Sequence, residues 1–160
     1  MAVQAIRAVG IENGPVHVEM KVTQDGPKMI ELGARMGGDF ITTHLVPLST
    51  GIDMMKLVIK NACGEKINIP KDNGYGSAIR FFSGENGRLE DVAGMDEVLE
   101  LQGVKYIWQF KESGSMITET HNSLDRVGCV IVQGRSNQEA IEICERALEK
   151  IKVKVKNDDK

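Results

Sequence analysis

Two neighbouring segments alternate with the period of a β-strand, and this constrains the chain more than any other feature. From Val16 to Val22, the residues Val16, Val18, Met20 and Val22 fall on one face, and His17, Glu19 and Lys21 fall on the other. From Lys28 to Arg35, Ile30, Leu32 and Ala34 face one way, and Met29, Glu31, Gly33 and Arg35 face the other. The intervening TQDGP is a turn sequence, so an antiparallel hairpin is expected. With a turn from Thr23 to Pro27, Val22 pairs with Lys28 and the register sets Glu19 directly opposite Glu31. Side chains so placed have Cβ atoms about 4.5–5.5 Å apart, and like charges there destabilise a sheet. A hard divalent cation bound by oxygen ligands would remove that penalty; two glutamates on a solvated face are the plainer alternative.

The continuation ELGARMGGD extends the glutamate face. Arg35 is expected two pleats beyond Glu31, where a planar guanidinium suits a phosphate or acyl phosphate, or else forms a surface salt bridge. Gly37 and Gly38 let backbone approach a ligand closely, or simply turn the chain into the next helix. His17 lies on Glu19's face, two residues before it, as a contact to nucleotide, substrate or metal, or as a packed ring. Lys21 shares that face, either neutralising phosphate or pairing across the strands with Glu19 or Glu31. Asp39 is expected to cap the following helix. His44 either faces a substrate pocket or packs within a helix, and His121, in a polar stretch, is given no role. Met54 and Met55 are core or interface filler.

Elsewhere the pattern is mixed. MAVQAIRAVGI suits a short amphipathic helix that begins without a cap and closes at Gly10. FITTHLVPLS and GIDMMKLVIKNACG are helical, the second with a stripe of Ile52, Met55 and Ile59 and a stop at Gly64. After INIPKDNG the character changes to short strands, SAIRFFS, RLEDVAG, VKYIWQFK and DRVGCVIVQG, with a short helix over Met95 to Leu101. These suggest a second, mostly antiparallel sheet. SNQEAIEICERALEKIKV is a helix capped by Ser136 or Asn137, with an apolar stripe of Ile141, Cys144, Leu148 and Ile151. The fold class is α+β.

Composition removes several functions. With 160 residues, of which 41% are hydrophobic, the chain can bury one sizeable core or two small lobes. No apolar run approaches a membrane span and none resembles a signal peptide, so a cytoplasmic protein is expected, with no membrane role. Cys63, Cys129 and Cys144 lack zinc or disulfide spacing and are expected to be reduced and mostly buried. Charges of both signs are interspersed; the one dense basic run, KIKVKVK, alternates with apolar residues as an edge strand or helix end does, so nucleic-acid binding is not expected.

The segment from about Met1 to Glu65, with its core E…E-x-G-x-R-x-G-G-D, resembles the C-terminal part of the ATP-grasp domain of carboxylate-amine ligases, with the L-amino-acid ligases as the nearest subgroup. The resemblance implies ATP as cofactor with magnesium, or manganese in its place, held by Glu19 and Glu31. It implies that Arg35 stabilises an acyl phosphate; beside it, Gly37, Gly38 and His17 are the residues expected to border the nucleotide. The family's E-x-N-x-R has Gly33 in its asparagine slot here, which removes a side-chain metal ligand. Residues from Gly76 to Val153 resemble, more weakly, the small domain that follows the grasp domain. Residues 1–72 and 73–160 are thus expected to be those two parts, forming the C-terminal portion of a longer ligase with Met1 at an internal break. The expected partners are a small carboxylate, an amine and an N-terminal ATP-grasp lobe; self-association stays open. The expected reaction is ATP-dependent amide or peptide bond formation, with the isolated chain inactive. A purine-biosynthetic or carbamoyl-phosphate-type ligase, or a non-catalytic binding or assembly module, are the alternatives.

Overall fold

The computed structural model of the protein describes residues 1–157. The chain divides into two compact units, one of Met1–Pro47 with Gly51–Lys71, the other of Leu48–Thr50 with the residues from Asp72 onward. The fold is α+β throughout.

The first unit opens with helix α1, Ala2–Ala8, which has no side-chain cap at Met1. It ends in a Schellman motif: Gly10, at φ 74°, donates its N–H to Arg7 O (3.1 Å), and Ile11 donates to Ile6 O (3.2 Å). Strands β1, His17–Thr23, and β2, Gly26–Gly33, form a two-stranded antiparallel hairpin. A π-helical turn over Ile41–Leu45 then leads into α2, Val46–Thr50, and α3, Met54–Ala62, follows. Asp53 caps α3 by accepting the Lys56 N–H at 2.9 Å. Gly64 stops it as expected, again with paired bonds, Gly64 N–H to Asn61 O and Glu65 N–H to Lys60 O, both 3.0 Å. The inward stripe of α3 differs from the expected Ile52, Met55 and Ile59. Ile52 does line the inner side, but Ile59 is exposed, and Met54, Leu57, Val58 and Asn61 join Ile52 around a cavity of about 260 Å³ with Pro15 and Ile67. The i, i+3, i+4, i+7 spacing was present one residue earlier in the sequence.

The second unit holds two three-stranded antiparallel sheets where one was expected. The first has the order β3, Gly76–Phe82, then β7, Gly128–Gly134, then β5, Val104–Gln109. The second has the order β6, Met116–Ile117, then β4, Gly87–Ala93, then β8, Lys152–Lys156. A short helix α4, Met95–Leu99, lies between β4 and β5. Helix α5, Asn137–Lys150, packs on β3 and β7. Ser136 is its cap, accepting the Glu139 N–H at 3.2 Å, while the Glu139 carboxylate accepts the Arg135 N–H at 2.5 Å. Its buried stripe is Ala140, Ile143, Cys144 and Ala147; Ile141, expected to face the core, is exposed. Leu148 and Ile151 pack at the margin of that core.

β7 is the centre of the second unit. Val130 and Val132 are fully buried in the main core beside Leu89, Val98 and Ile117, and Cys129 and Ile131 are equally buried on the alternate face. A strand buried on both faces needs a continuous apolar run, which CVIV supplies. Gly128 permits close approach at its start, where a Cβ would lie 2.2 Å from Trp108 O and 2.3 Å from the Phe82 ring. KVKVK is the edge strand β8: Val153 and Val155 pack on the core, and the alternate lysines stay exposed, which blunts an open edge.

Every buried apolar residue described belongs to this second unit; the first unit buries only Thr42. All three cysteines are free. Cys129 and Cys144 are buried, and burial pushes the Cys144 thiol up to about 11, whereas Cys63, expected to be buried with them, is exposed at the end of α3. Among the described residues no helix is long and apolar enough to cross a membrane. The division of burial has a measurable consequence. Leu89→Ala should cost about 2–5 kcal/mol, whereas Val22→Ala, at a side chain 83% exposed, should stay within about 0.5 kcal/mol of the parent. Urea unfolding of the two variants compares them directly.

Candidate functional site

The hairpin register places Glu19 opposite Glu31, as the alternation predicts, but by a different route. The turn is tighter than expected. Thr23 pairs with Gly26, Val22 with Pro27, Lys21 with Lys28 and Met20 with Met29. The register then shifts by one residue between Glu19 and Met20, leaving Ile30 as the extra residue of a β-bulge, after which Glu19 faces Glu31, Val18 faces Leu32 and His17 faces Gly33. The Thr23 hydroxyl donates to Gly26 O at 2.8 Å and helps close the turn. Two assignments change as a result. Met29 stands opposite Met20, away from the glutamates rather than beside them. Lys21 stands opposite Lys28, so it is not the cross-strand partner of either glutamate.

Arg35 also differs from the extended position expected. β2 ends at Gly33, and the chain turns tightly, with the Arg35 N–H donating to Gly33 O at 2.8 Å. The side chain folds back over Gly33, where a Cβ would lie 3.4 Å from Arg35 Cγ and Nε, and the guanidinium pairs with the Glu31 carboxylate. It also donates to Met36 O at 3.1 Å. Both partners are about half exposed (52% and 50%), so the ion pair orients Arg35 more than it stabilises the fold.

The two glycines of the loop are not equivalent. At Gly37 a Cβ would lie 3.1 Å from both His17 Nδ1 and Ile41 Cγ2, whereas at Gly38 nothing lies within 4 Å. The buried Thr42 hydroxyl donates to Gly37 O at 3.1 Å and ties the loop to the π-helical turn. Asp39 and Phe40 follow with φ 47° and 63°, consecutive left-handed residues of a kind rare outside glycine. Asp39 is therefore not the expected helix cap; Phe40 occupies the cap position, and no side chain caps the turn. His44 lies edge-on to the Phe40 ring, with centroids 5.4 Å apart, and its Nδ1 is 2.8 Å from the Thr43 hydroxyl.

The donor chemistry of this face fits a hard divalent ion. Magnesium takes one or two carboxylates and completes its shell with water and substrate phosphates. Glu19 and Glu31 are the carboxylates that would hold such an ion, and among the described residues no group of three or more His, Cys, Asp or Glu side chains forms a site by itself. Gly33, between Glu31 and Arg35, contributes no side-chain oxygen.

In fold the chain is similar to the C-terminal portion of the ATP-grasp carboxylate-amine ligases. Residues 80–156 match the family described as L-amino acid ligase C-terminal domain 2. The crystal structure of an L-amino acid ligase from Bacillus licheniformis superposes with a TM-score of 0.81 at 28% identity, over 98% of this chain and 39% of that one. A phosphoribosylglycinamide synthetase from Anaerococcus prevotii gives 0.80 at 23% identity, over 97% of this chain and 40% of that one, a likeness of fold. An uncharacterised protein of Sinorhizobium fredii is 30% identical over 149 residues, which are 92% of this chain and 31% of that protein. The chain thus spans about a third of the length of that relative.

The site geometry separates the two glycines experimentally. Gly37→Ala should press on His17 and Ile41 and cost about 1–3 kcal/mol, while Gly38→Ala should be close to neutral; thermal unfolding of the pair decides. Gly33→Asn meets only the Arg35 side chain, at an ordinary contact distance of 3.4 Å from Cγ and Nε, so it should fold like the parent in the same measurement.

Proposed function

We propose that this chain is part of an ATP-dependent ligase that joins the carboxylate of one amino acid to an amine through an acyl phosphate, releasing ADP and phosphate. The cross-strand Glu19–Glu31 pair, with Arg35 drawn onto it, carries the reading. Glu19 and Glu31 hold the magnesium that accompanies ATP; when bound, the ion neutralises phosphate charge and orients the transferring group. Arg35, already turned towards Glu31, stabilises charge on the acyl phosphate with its planar donor fork. Gly37 and Gly38 bring backbone close to the nucleotide, and His17, packed on Gly37, borders it. An amino-acid ligase is favoured over a purine-biosynthetic one because the family match and the 28% identity both fall on L-amino acid ligases.

Residues 1–72 are the C-terminal part of the grasp domain and 73–160 the small domain behind it. The first unit leaves Val3, Val9, Val22, Ile30, Ile59 and Ile69 exposed and buries no apolar side chain, which suits a unit covered by an N-terminal ATP-grasp lobe. An exposed free Cys63 suits a reducing, cytoplasmic compartment.

Two outcomes test the reading. The chain by itself should release no phosphate from ATP, because positioning of the γ-phosphate and exclusion of water need the other lobe; sustained magnesium-dependent release would overturn this. Glu31→Gln relieves an opposed carboxylate pair but also removes the partner of Arg35. Both effects are of the order of 0.2–1 kcal/mol, so metal-free stability should change by less than about 0.5 kcal/mol by differential unfolding. In a ligase that contains this chain and the N-terminal lobe, the same change should remove most activity. An active Glu31→Gln ligase would reduce the pair with Arg35 to a structural one.

A further inference from the structure

The hairpin carries a second like-charged pair, and no described carboxylate of the first unit lies within ion-pair distance of it. Lys21 faces Lys28 across the strands, one pleated row from Glu19 and Glu31 and on the same side of the ribbon. Two residues of strand separate the rows, about 7 Å. Directly opposed ammonium groups destabilise a hairpin for the same reason that opposed carboxylates do. The usual compensation, a carboxylate across the strand, is denied by the register, and neither lysine has an ion-pair partner among the described residues. Protection of an open edge does not explain the pair either. One lysine would serve, and the apolar Val22 and Ile30, exposed at 83% and 58%, are left unguarded on the same ribbon.

We propose that Lys21 and Lys28 form a paired cationic contact for the polyphosphate of the nucleotide. The inference rests on the ligase reading for the identity of its ligand. Along the glutamate face the charges run in rows: two ammonium groups, two carboxylates, then the Arg35 guanidinium folded over Gly33. A polyanion accompanied by a divalent cation matches that order, the cation over the carboxylates and the phosphates reaching the cationic rows on either side. Lysine suits the outer position, since its ammonium is a compact charge on a flexible stem that follows a mobile phosphate chain, while the rigid fork of Arg35 suits the planar reacting group. The bulge at Ile30 matters here too. It alone allows a tight turn to pair Lys21 with Lys28 and still bring Glu31 opposite Glu19.

The probe is inorganic tripolyphosphate with magnesium, titrated into the 160-residue chain by calorimetry and by backbone amide shifts. Lys21→Met and Lys28→Met should each weaken binding several-fold and the double variant at least tenfold, with a shallower salt dependence, while Lys71→Met leaves it unchanged. Without the probe, Lys28→Met should melt at or above the parent temperature, because repulsion is relieved; this also shows that the variant is folded. Binding by the double variant within twofold of the parent overturns the inference, as does a parent that does not bind the probe. Should Glu31→Gln abolish magnesium-dependent binding while the lysine variants keep it, the lysine contact fails and the ligase reading stands. Should the lysine variants lose binding while Glu31→Gln retains its magnesium dependence, the lysine contact stands and the metal assignment fails.

Discussion

The opposition of Glu19 and Glu31 is the constraint on which the candidate site depends, and one extra residue maintains it. A regular ladder running from the Thr23–Gly26 closure would set Glu19 against Ile30 and turn Glu31 to the other face. The bulge at Ile30 restores the register. It also divides the ribbon into a cationic turn end and an anionic inner end, beyond which β2 ends at Gly33 and Arg35 folds back onto Glu31. Bulges beside functional residues redirect side chains in this manner, at the expense of one unpaired ladder position.

The two units divide the buried core and the candidate site between them. The second unit holds all the buried apolar residues described, centred on a strand covered on both faces. The first unit holds the opposed carboxylates, the arginine and the glycine loop, with only the Thr42 hydroxyl buried. A lone two-stranded ribbon is marginal in water, and this one also carries two like-charge pairs. Ligand and ion would supply to it the energy that packing does not.

Strain is concentrated next to the same face. Two consecutive left-handed residues, Asp39 and Phe40, lead into a π-helical turn, a combination that costs energy at each residue and recurs at functional sites. Gly37 makes the arrangement feasible, because His17 and Ile41 occupy the space a side chain would need, and Thr42 fixes its carbonyl.

What the sequence by itself determined was whatever depends on local periodicity: the hairpin, the facing glutamates and the stops at Gly10 and Gly64, while the Ser136 cap and the edge strand of alternating lysines were each one of two readings it left open. These follow from backbone geometry and near-neighbour hydrogen bonds, which the order of residue types encodes directly. The resemblance carried by E…E-x-G-x-R-x-G-G-D added the class of ligase. Tertiary structure decided the rest. Where α3 and α5 turn their apolar stripes depended on what each helix packs against, so Ile59 and Ile141 were misplaced. A tight turn offset by a bulge gives the same pairing of glutamates as a wide turn without one, so alternation could not reveal that Lys21 faces Lys28. Asp39 resembled a cap because aspartate favours that position, but it lies at φ 47° with Phe40 in the cap position, in a loop held by Thr42 on Gly37 and by the packing of Gly37 against His17, contacts between residues that are not neighbours in the chain.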